Sequence, residues 1–347
     1  MGQAERVLIA GPAWVGDMVM AQSLFIMLHR NAPGAQIDVL APKWSVPLLA
    51  RMPEVHQAVA LPVGHGELRL ARRYRIAKRL RHKHYDRAIV IPRSFKSALI
   101  PFLAHIPRRT GYRGEMRYGL INDMRTLDKA ALPQVVQRYV ALGLERDAPL
   151  PPHEIPSPRL SVDKKNRARL VAELGLAGNG PVAAFVPGAE YGPAKRWPTQ
   201  YYAQLAGELA QAGYRIWLLG SHNDAEVCAE LEGLSGGVTT NLSGKTRLQD
   251  VVDLVSLVSV VVTNDSGLMH IAAAVGSRII ALFGSSTPAY TPPLTAKADV
   301  FYLGLSCSPC FKRECPLGHL NCLNKIPVKE VYNACLRAGK GSSDDRC

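Results

Sequence analysis

The sequence predicts an α/β protein built from two Rossmann-like domains, each a parallel sheet with helices on both faces. Three observations carry that prediction. Short apolar runs bounded by Gly, Pro or charge alternate with segments of helical periodicity. The runs are nearly continuous rather than alternating in polarity. They also fall into two series, separated by a proline-rich stretch. Continuous apolar strands are those buried on both faces, and strand–helix alternation of this kind builds parallel sheets. A chain of 347 residues, 47% of them apolar, is long enough for two such domains and apolar enough to fill their cores.

The first series opens with "RVLIAG". The next segment, "GPAWVGDMVMAQSL" (Gly11–Leu24), is a turn carrying Gly11, Gly16 and Asp17, with a helix expected to begin near Met18. Its glycines lack the G-x-G-x-x-G spacing that a dinucleotide pyrophosphate requires. Asp17 then has two readings, a helix cap or a general base toward a sugar hydroxyl. The strands "IDVLAP", "AVALP" and "RAIVIP" follow. Between the last two lies "ELRLARRYRIAKRLRHKHYDR", a predicted helix with Leu70, Tyr74, Ala77 and Leu80 as its apolar stripe. Arg72, Arg73, Arg75, Lys78, Arg79, Arg81 and Lys83 form its polar side. Such a helix suits either an anionic membrane surface or bulk solvent. The segment "RSFKSALIPFLAHIPRRTGYRG" adds Arg93, Lys96, Arg108, Arg109 and Arg113 around a proline-broken apolar stretch. Arg72, Arg73, Arg93, Lys96 and Arg113 are therefore candidates to bind an anionic acceptor.

"LERDAPLPPHEIPSPRL" has five prolines between Pro149 and Pro158 and reads as an extended linker. The domain boundary is expected near residue 160, giving domains 1–160 and 161–347, with the last helix a candidate to pack back onto the first domain. The ligand site is expected in the cleft between them, at the C-terminal ends of the strands. Four strand ends of the second series carry small or charged turn residues. "FVPGAEYGPAKRWP" supplies Lys195 and Arg196, suited to a diphosphate. "LLGSHNDAEVC" supplies Gly220 and Ser221, although Asn223 or Asp224 could simply cap the helix that follows. "VVVTNDSGLMHIAAAVG" places Asp265, Ser266 and Gly267 at a helix N-terminus, with His270 in its first turn. "ALFGSSTPAYTPP" adds Ser285 and Ser286. Together these four turns resemble a nucleotide-diphosphate site.

Charge divides the chain. Residues 1–150 carry 23 Lys+Arg against 11 Asp+Glu, and the remainder 19 against 17, which assigns the anionic partner to the first half. Aromatics are only 7% and no nucleic-acid reading motif is present, so a phosphorylated amphiphile is favoured over DNA. No signal peptide is visible, and no apolar run reaches the roughly 18 residues of a membrane span. Seven cysteines, an odd number, fit reduced thiols. Cys307, Cys310, Cys315 and Cys322 are spaced C-x2-C-x4-C-x6-C, which leaves a zinc site as the alternative to structural thiols.

With these segments assembled, the chain resembles the ADP-heptose:lipopolysaccharide heptosyltransferases of glycosyltransferase family 9 along nearly its whole length. The carriers are "GPAWVGDMVMAQSL", "PRSFKSALIPF", "PGAEYGPAKRWP", "NLSGKTRLQDVVDL", "TNDSGLMHIAAAVG" and "ALFGSSTPAYTPP"; the third and fifth are specific in combination. The resemblance implies a GT-B fold, with the acceptor bound mainly by the first domain and the sugar nucleotide by the second. It implies transfer of L-glycero-D-manno-heptose from ADP-heptose to the first heptose of the lipopolysaccharide inner core, heptosyl-Kdo2-lipid A. Transfer would invert the anomeric carbon in one displacement, with no cofactor or metal required. The family's base matches Asp17, its diphosphate-binding lysine matches Lys195, and its donor turn matches Asp265, Ser266, Gly267 and His270. No acidic residue for the ribose hydroxyls declares itself. The implied setting is cytoplasmic, peripheral to the inner membrane. The rivals are another family 9 heptosyltransferase acting elsewhere on the core, or a non-catalytic module for anionic lipid or nucleic acid.

Overall fold

The computed structural model describes residues 4–64 and 67–340. The chain forms two compact units, one ending at Pro158 and one beginning at Arg159. In the first, the order is β1 (Arg6–Ala10), α1 (Val15–Asn31), β2 (Gln36–Pro42), α2 (Val46–Leu49), β3 (Val55–Leu61), α3 (Leu70–Arg81), β4 (Arg87–Val90), α4 (Phe95–Leu103), β5 (Arg108–Tyr112), β6 (Asp123–Arg125) and α5 (Val135–Ala141). The strands form one parallel sheet in the order β3-β2-β1-β4-β5-β6. Its central strands are apolar and buried: Val7, Leu8 and Ile9 of β1, and Ala88, Ile89 and Val90 of β4, are at most 1% exposed.

Two strands of this sheet are absent from the sequence reading. β5 begins with two arginines and β6 is three residues long, so neither shows an apolar run. Arg109 can occupy a strand because its guanidinium donates to the carbonyls of Ile106 and Leu120. α3 also departs from expectation. It is helical, but the buried face is Arg73, Ile76, Ala77 and Leu80, while Leu70 and Tyr74 stand 55% and 48% exposed. The stripe is rotated because Arg73 turns inward: it donates to the backbone carbonyls of Leu68, Lys96 and Glu67. Three carbonyl partners make an inward guanidinium tolerable where a bare charge would not be.

The second unit runs α6 (Lys164–Glu173), β7 (Val182–Val186), α7 (Thr199–Gln211), β8 (Arg215–Leu218), α8 (Ala225–Leu234), β9 (Thr239–Asn241), α9 (Leu248–Val255), β10 (Val260–Asn264), α10 (Gly267–Val275), β11 (Ile279–Phe283), β12 (Ala298–Tyr302), α11 (Asn321–Asn324) and α12 (Val328–Lys340). Its sheet is again parallel, in the order β12-β11-β10-β7-β8-β9. β7, β10 and β11 are buried at every position. The two strands that the sequence did not announce, β9 and β12, are the sheet edges, where solvent-facing residues dilute the apolar pattern. One hydrophobic cluster fills each face. α12 contributes Val331, Ala334 and Cys335 to one of them and packs against α7. The proline-rich stretch after α5 has no regular structure, yet Pro152, Pro156 and Pro158 are buried, so it lies against protein rather than looping through solvent.

In each sheet the first strand lies inside, flanked on one side by the strands that follow it directly and on the other by the later ones. The connections therefore part between β1 and β4, and between β7 and β10. Ligands of open parallel sheets bind at such switch points, outside the C-terminal ends of the strands.

Candidate functional site

In the second unit, Lys195 follows β7 and Asp265 follows β10, so the two residues face the switch point. Lys195 Nζ lies 2.5 Å from Asp265 Oδ2, and the pair is largely buried, with the lysine side chain 18% and the aspartate 6% exposed. Ser286, after β11, donates to the same oxygen at 2.5 Å, and Thr291 Oγ1 approaches Oδ1 at 3.5 Å. The sequence motifs thus meet as one polar cluster. The lysine's charge is held by a carboxylate here rather than projecting freely.

Asp265 introduces α10, with Ser266 as its N-cap; Ser266 makes no side-chain cap bond and instead pairs with Thr263 Oγ1 at 3.2 Å. Gly267 is the first helical residue. The α10 amides are therefore available to an anion. His270, three residues on, is 4% exposed. Burial pushes its pKa down to about 4, with Lys195 adding to the shift and Asp265 opposing it. The imidazole is neutral near pH 7 and acts as a hydrogen-bonding group rather than a cation.

The neighbouring strand ends are used differently. Ser221, after β8, donates both its amide and its hydroxyl to Asp224 Oδ2 at 2.8 Å each, so it caps the turn that starts α8, with Gly220 leading into it. Ser285 is 2% exposed and its hydroxyl has no hydrogen-bond partner.

Sequence reasoning missed what fixes these loops. Asn264, ending β10, accepts from Trp197 N at 3.0 Å and donates to the Pro187 carbonyl at 2.7 Å, tying both ends of the β7–α7 loop to the central strand. The cysteine segment holds the loop's middle. Ala194 N donates to Arg313 O at 2.9 Å, and Tyr191 Oη to Phe311 O at 2.8 Å. The Tyr191 ring also lies 5.2 Å from Lys195 Nζ and 5.3 Å from the Arg313 guanidinium. Contact is so close at Gly192 that a Cβ there would sit 2.6 Å from Arg313 O. Among the described residues no group of three or more His, Cys, Asp or Glu is placed to hold a metal. Cys307, Cys310, Cys315 and Cys322 are free thiols, and Cys347 lies outside the described residues. Backbone amides of Leu320, Leu317, Gly318 and His319 bond to the Cys315 sulfur and lower its pKa.

In the first unit, Asp17 is a residue of the first turn of α1, which starts at Val15 rather than near Met18. Trp14 is the N-cap and gives no side-chain cap bond, so of the two readings of Asp17 the N-cap position is taken by another residue. It is half-buried, beyond the C-terminal end of β1. The candidate acceptor residues separate into two groups. Arg93 and Arg113, after β4 and β5, line a cavity of about 520 Å³ together with Glu115 and Lys129. Arg73 is internal, as described. Arg72 donates to the Pro62 carbonyl at 2.5 Å, and Lys96 sits within α4 outside that cavity.

Comparison with known proteins places the chain. The family model described as glycosyltransferase family 9 (heptosyltransferase) matches residues 73–321. Lipopolysaccharide heptosyltransferase 2 of Salmonella typhimurium is 48% identical over 306 residues, covering 86% of this chain and 88% of that protein. Lipooligosaccharide heptosyltransferase 2 of Haemophilus influenzae is 48% identical over 308 residues, again 86% and 88%. The solved structure of Escherichia coli ADP-heptose lipopolysaccharide heptosyltransferase II is similar with a TM-score of 0.87 at 40% identity, covering 97% of this chain and 99% of that one.

Proposed function

The chain belongs to glycosyltransferase family 9, the heptosyltransferases, and we propose that it moves heptose from ADP-heptose to the first heptose of the lipopolysaccharide inner core. The donor and the lipopolysaccharide destination follow the relatives' activity. The acceptor, heptosyl-Kdo2-lipid A, follows the resemblance in the sequence. The observation that carries the donor half is the cluster of Lys195, Asp265 and Ser286 at a switch point, beside the open amides of α10. Cation and helix N-terminus together suit a diphosphate whose charge grows as it leaves.

The reaction is a single displacement with inversion. An acceptor hydroxyl oxygen attacks the anomeric carbon of the donor, the bond from that carbon to the diphosphate oxygen breaks, and ADP departs with the electron pair. Asp17 takes the hydroxyl proton. Its first-turn position supports that role, because the N–H groups opening α1 stabilise negative charge on a carboxylate. Lys195 and the α10 amides meet the charge developing on the diphosphate, and neutral His270 offers a hydrogen bond without adding charge. No step in this scheme calls on a metal.

Contact with an anionic membrane surface is the proposed way to reach a lipid-linked acceptor. α3 supports it, since Leu70 and Tyr74 stand outward among exposed Arg75, Lys78 and Arg79. No helix among the described residues is long and apolar enough to cross a membrane. The test is a transfer assay with ADP-heptose and heptosyl-Kdo2-lipid A, read by mass spectrometry. A gain of one heptose on the acceptor is expected. Transfer only to a core truncated or extended at another position would reassign the acceptor, and binding without transfer would reject the catalytic reading.

A further inference from the structure

The cavity beside Arg93 is built by a contact that leaves no room for a side chain. A Cβ on Gly114 would lie 2.1 Å from the Arg93 carbonyl oxygen, so the loop after β5 rests directly on the loop after β4. The cavity, about 520 Å³, opens where β4, β5 and β6 end, and its charged lining is Arg93, Arg113, Lys129 and Glu115. Among the described residues none of the three cations forms a salt bridge, and Arg93 Nε donates to the Arg113 carbonyl at 3.1 Å. A fourth cation bonds to the backbone next to Arg93 and Arg113. Arg117 is 0% exposed, and its guanidinium donates to the carbonyls of Pro92 and Tyr112 and to Ser97 Oγ, with its Nε unpartnered. Burial, with Arg93 adding to the shift and Glu115 opposing it, lowers the Arg117 pKa to about 10, so the group stays charged at neutral pH. No carboxylate hydrogen-bonds to Arg117; the negative charge that acts on it is the exposed Glu115, and a further anion nearby would offset more of the cost of burying the cation.

Glu115 supplies the one negative charge of the lining, and where it sits is informative. Its Oε2 accepts from Phe95 N at 2.8 Å, at the start of the nine-residue helix α4, whose N-cap Ser94 makes no side-chain cap bond. The Glu115 carboxylate thus occupies the place an oxyanion would take at that helix end, among cations that form no salt bridge.

We propose that this cavity is an oxyanion subsite for a phosphate or carboxylate carried by the acceptor, and that Glu115 is its internal stand-in, displaced when the acceptor binds. The proposal rests on the reading that the first unit receives the acceptor. It adds Lys129 and Gly114 to the acceptor machinery and gives Glu115 an opposing role. Displacement costs the acceptor part of its binding energy, because one carboxylate must leave before another oxyanion enters. It also disfavours occupation of the subsite by small anions, which lack the remaining contacts of the true acceptor.

Lys129 and Glu115 are both exposed, so Lys129→Ala and Glu115→Gln test the proposal without disturbing the core. In transfer kinetics, Lys129→Ala is expected to raise the acceptor KM roughly tenfold, the loss of one charge-assisted contact, with the donor KM unchanged. Glu115→Gln is expected to lower the acceptor KM several-fold. The second readout needs no catalysis: the melting temperature in inorganic phosphate, and separately in acetate, against chloride at matched ionic strength. Phosphate, acetate or both should stabilise Glu115→Gln more than the unaltered protein, and Lys129→Ala less; the more effective ion identifies the acceptor group. Equal stabilisation of all three proteins by both ions overturns the subsite, and a higher acceptor KM in Glu115→Gln overturns its role as stand-in. Absence of transfer by the unaltered protein would instead count against the heptosyltransferase reading, leaving the melting result to judge the subsite alone.

Discussion

The proposed chemistry is assigned to Asp17, to the coupled pair Lys195 and Asp265, and to His270, and each answers to a different measurement. Asp17→Asn removes the proposed base while keeping shape. Turnover is expected to fall roughly 100-fold or more, with ADP affinity by calorimetry unchanged; equal loss of both would make Asp17 structural. Lys195 and Asp265 are coupled, since removing one leaves the other's charge largely buried. Lys195→Ala should cost about 3–5 kcal/mol of stability, and Lys195→Ala with Asp265→Asn should recover much of it in denaturant melts. Donor affinity should stay low in both, because neither retains the cation. His270 stays neutral in the folded chain down to about pH 4, whereas an unfolded chain protonates it near 6.5. Between these values unfolding takes up a proton that the native state does not hold. Stability therefore falls as pH drops through that window, by at most about 3 kcal/mol from this group. His270→Gln should flatten that part of the stability–pH curve relative to the unaltered protein.

At the scale of elements, the β7–α7 loop and the cysteine segment behave as one piece. Gly192 is the contact point, and an added Cβ would force the Arg313 carbonyl away and break the Ala194–Arg313 hydrogen bond. Gly192→Ala should thus displace Lys195 and weaken ADP binding roughly tenfold, the size of one charge-assisted hydrogen bond of about 1.5–3 kcal/mol. Calorimetry with ADP measures this, and unchanged affinity would separate the segment from the donor site. The elements themselves were unequally legible. β1, β7, β10 and β11 announce themselves because they are buried on both faces. β5, β6, β9 and β12 do not, being short, arginine-bearing or at an edge. α3 was legible as a helix but not in its facing. Leu70 and Tyr74 look like core residues, and an inward Arg73 is made possible by carbonyls of Leu68, Lys96 and Glu67 that no local pattern reveals.

Across the whole molecule, the fold class and the polar turns at the strand ends of the second unit were readable from sequence composition, but the connections between those turns were not. Lys195 and Asp265 are 70 positions apart, and their pairing depends on β7 and β10 lying side by side. Gly114 and Arg117 gave no signal, one a glycine in a loop and the other one cation among many. The charge surplus of residues 1–150 is spread over different uses: Arg72 and Arg73 are engaged by backbone carbonyls, while Arg93 and Arg113 line a cavity. The chain is a family 9 heptosyltransferase, and the proposed function assigns the donor to the turn cluster of the second unit and the acceptor to the cationic pocket and first-turn carboxylate of the first. The most direct test is a stoichiometric assay of the unaltered protein with ADP-heptose and the heptose-bearing core acceptor, counting ADP released and reading the new glycosidic bond by NMR. The expected result is one ADP for each heptose gained, with the anomeric configuration inverted. Release of ADP without acceptor gain, or a retained configuration, would contradict it.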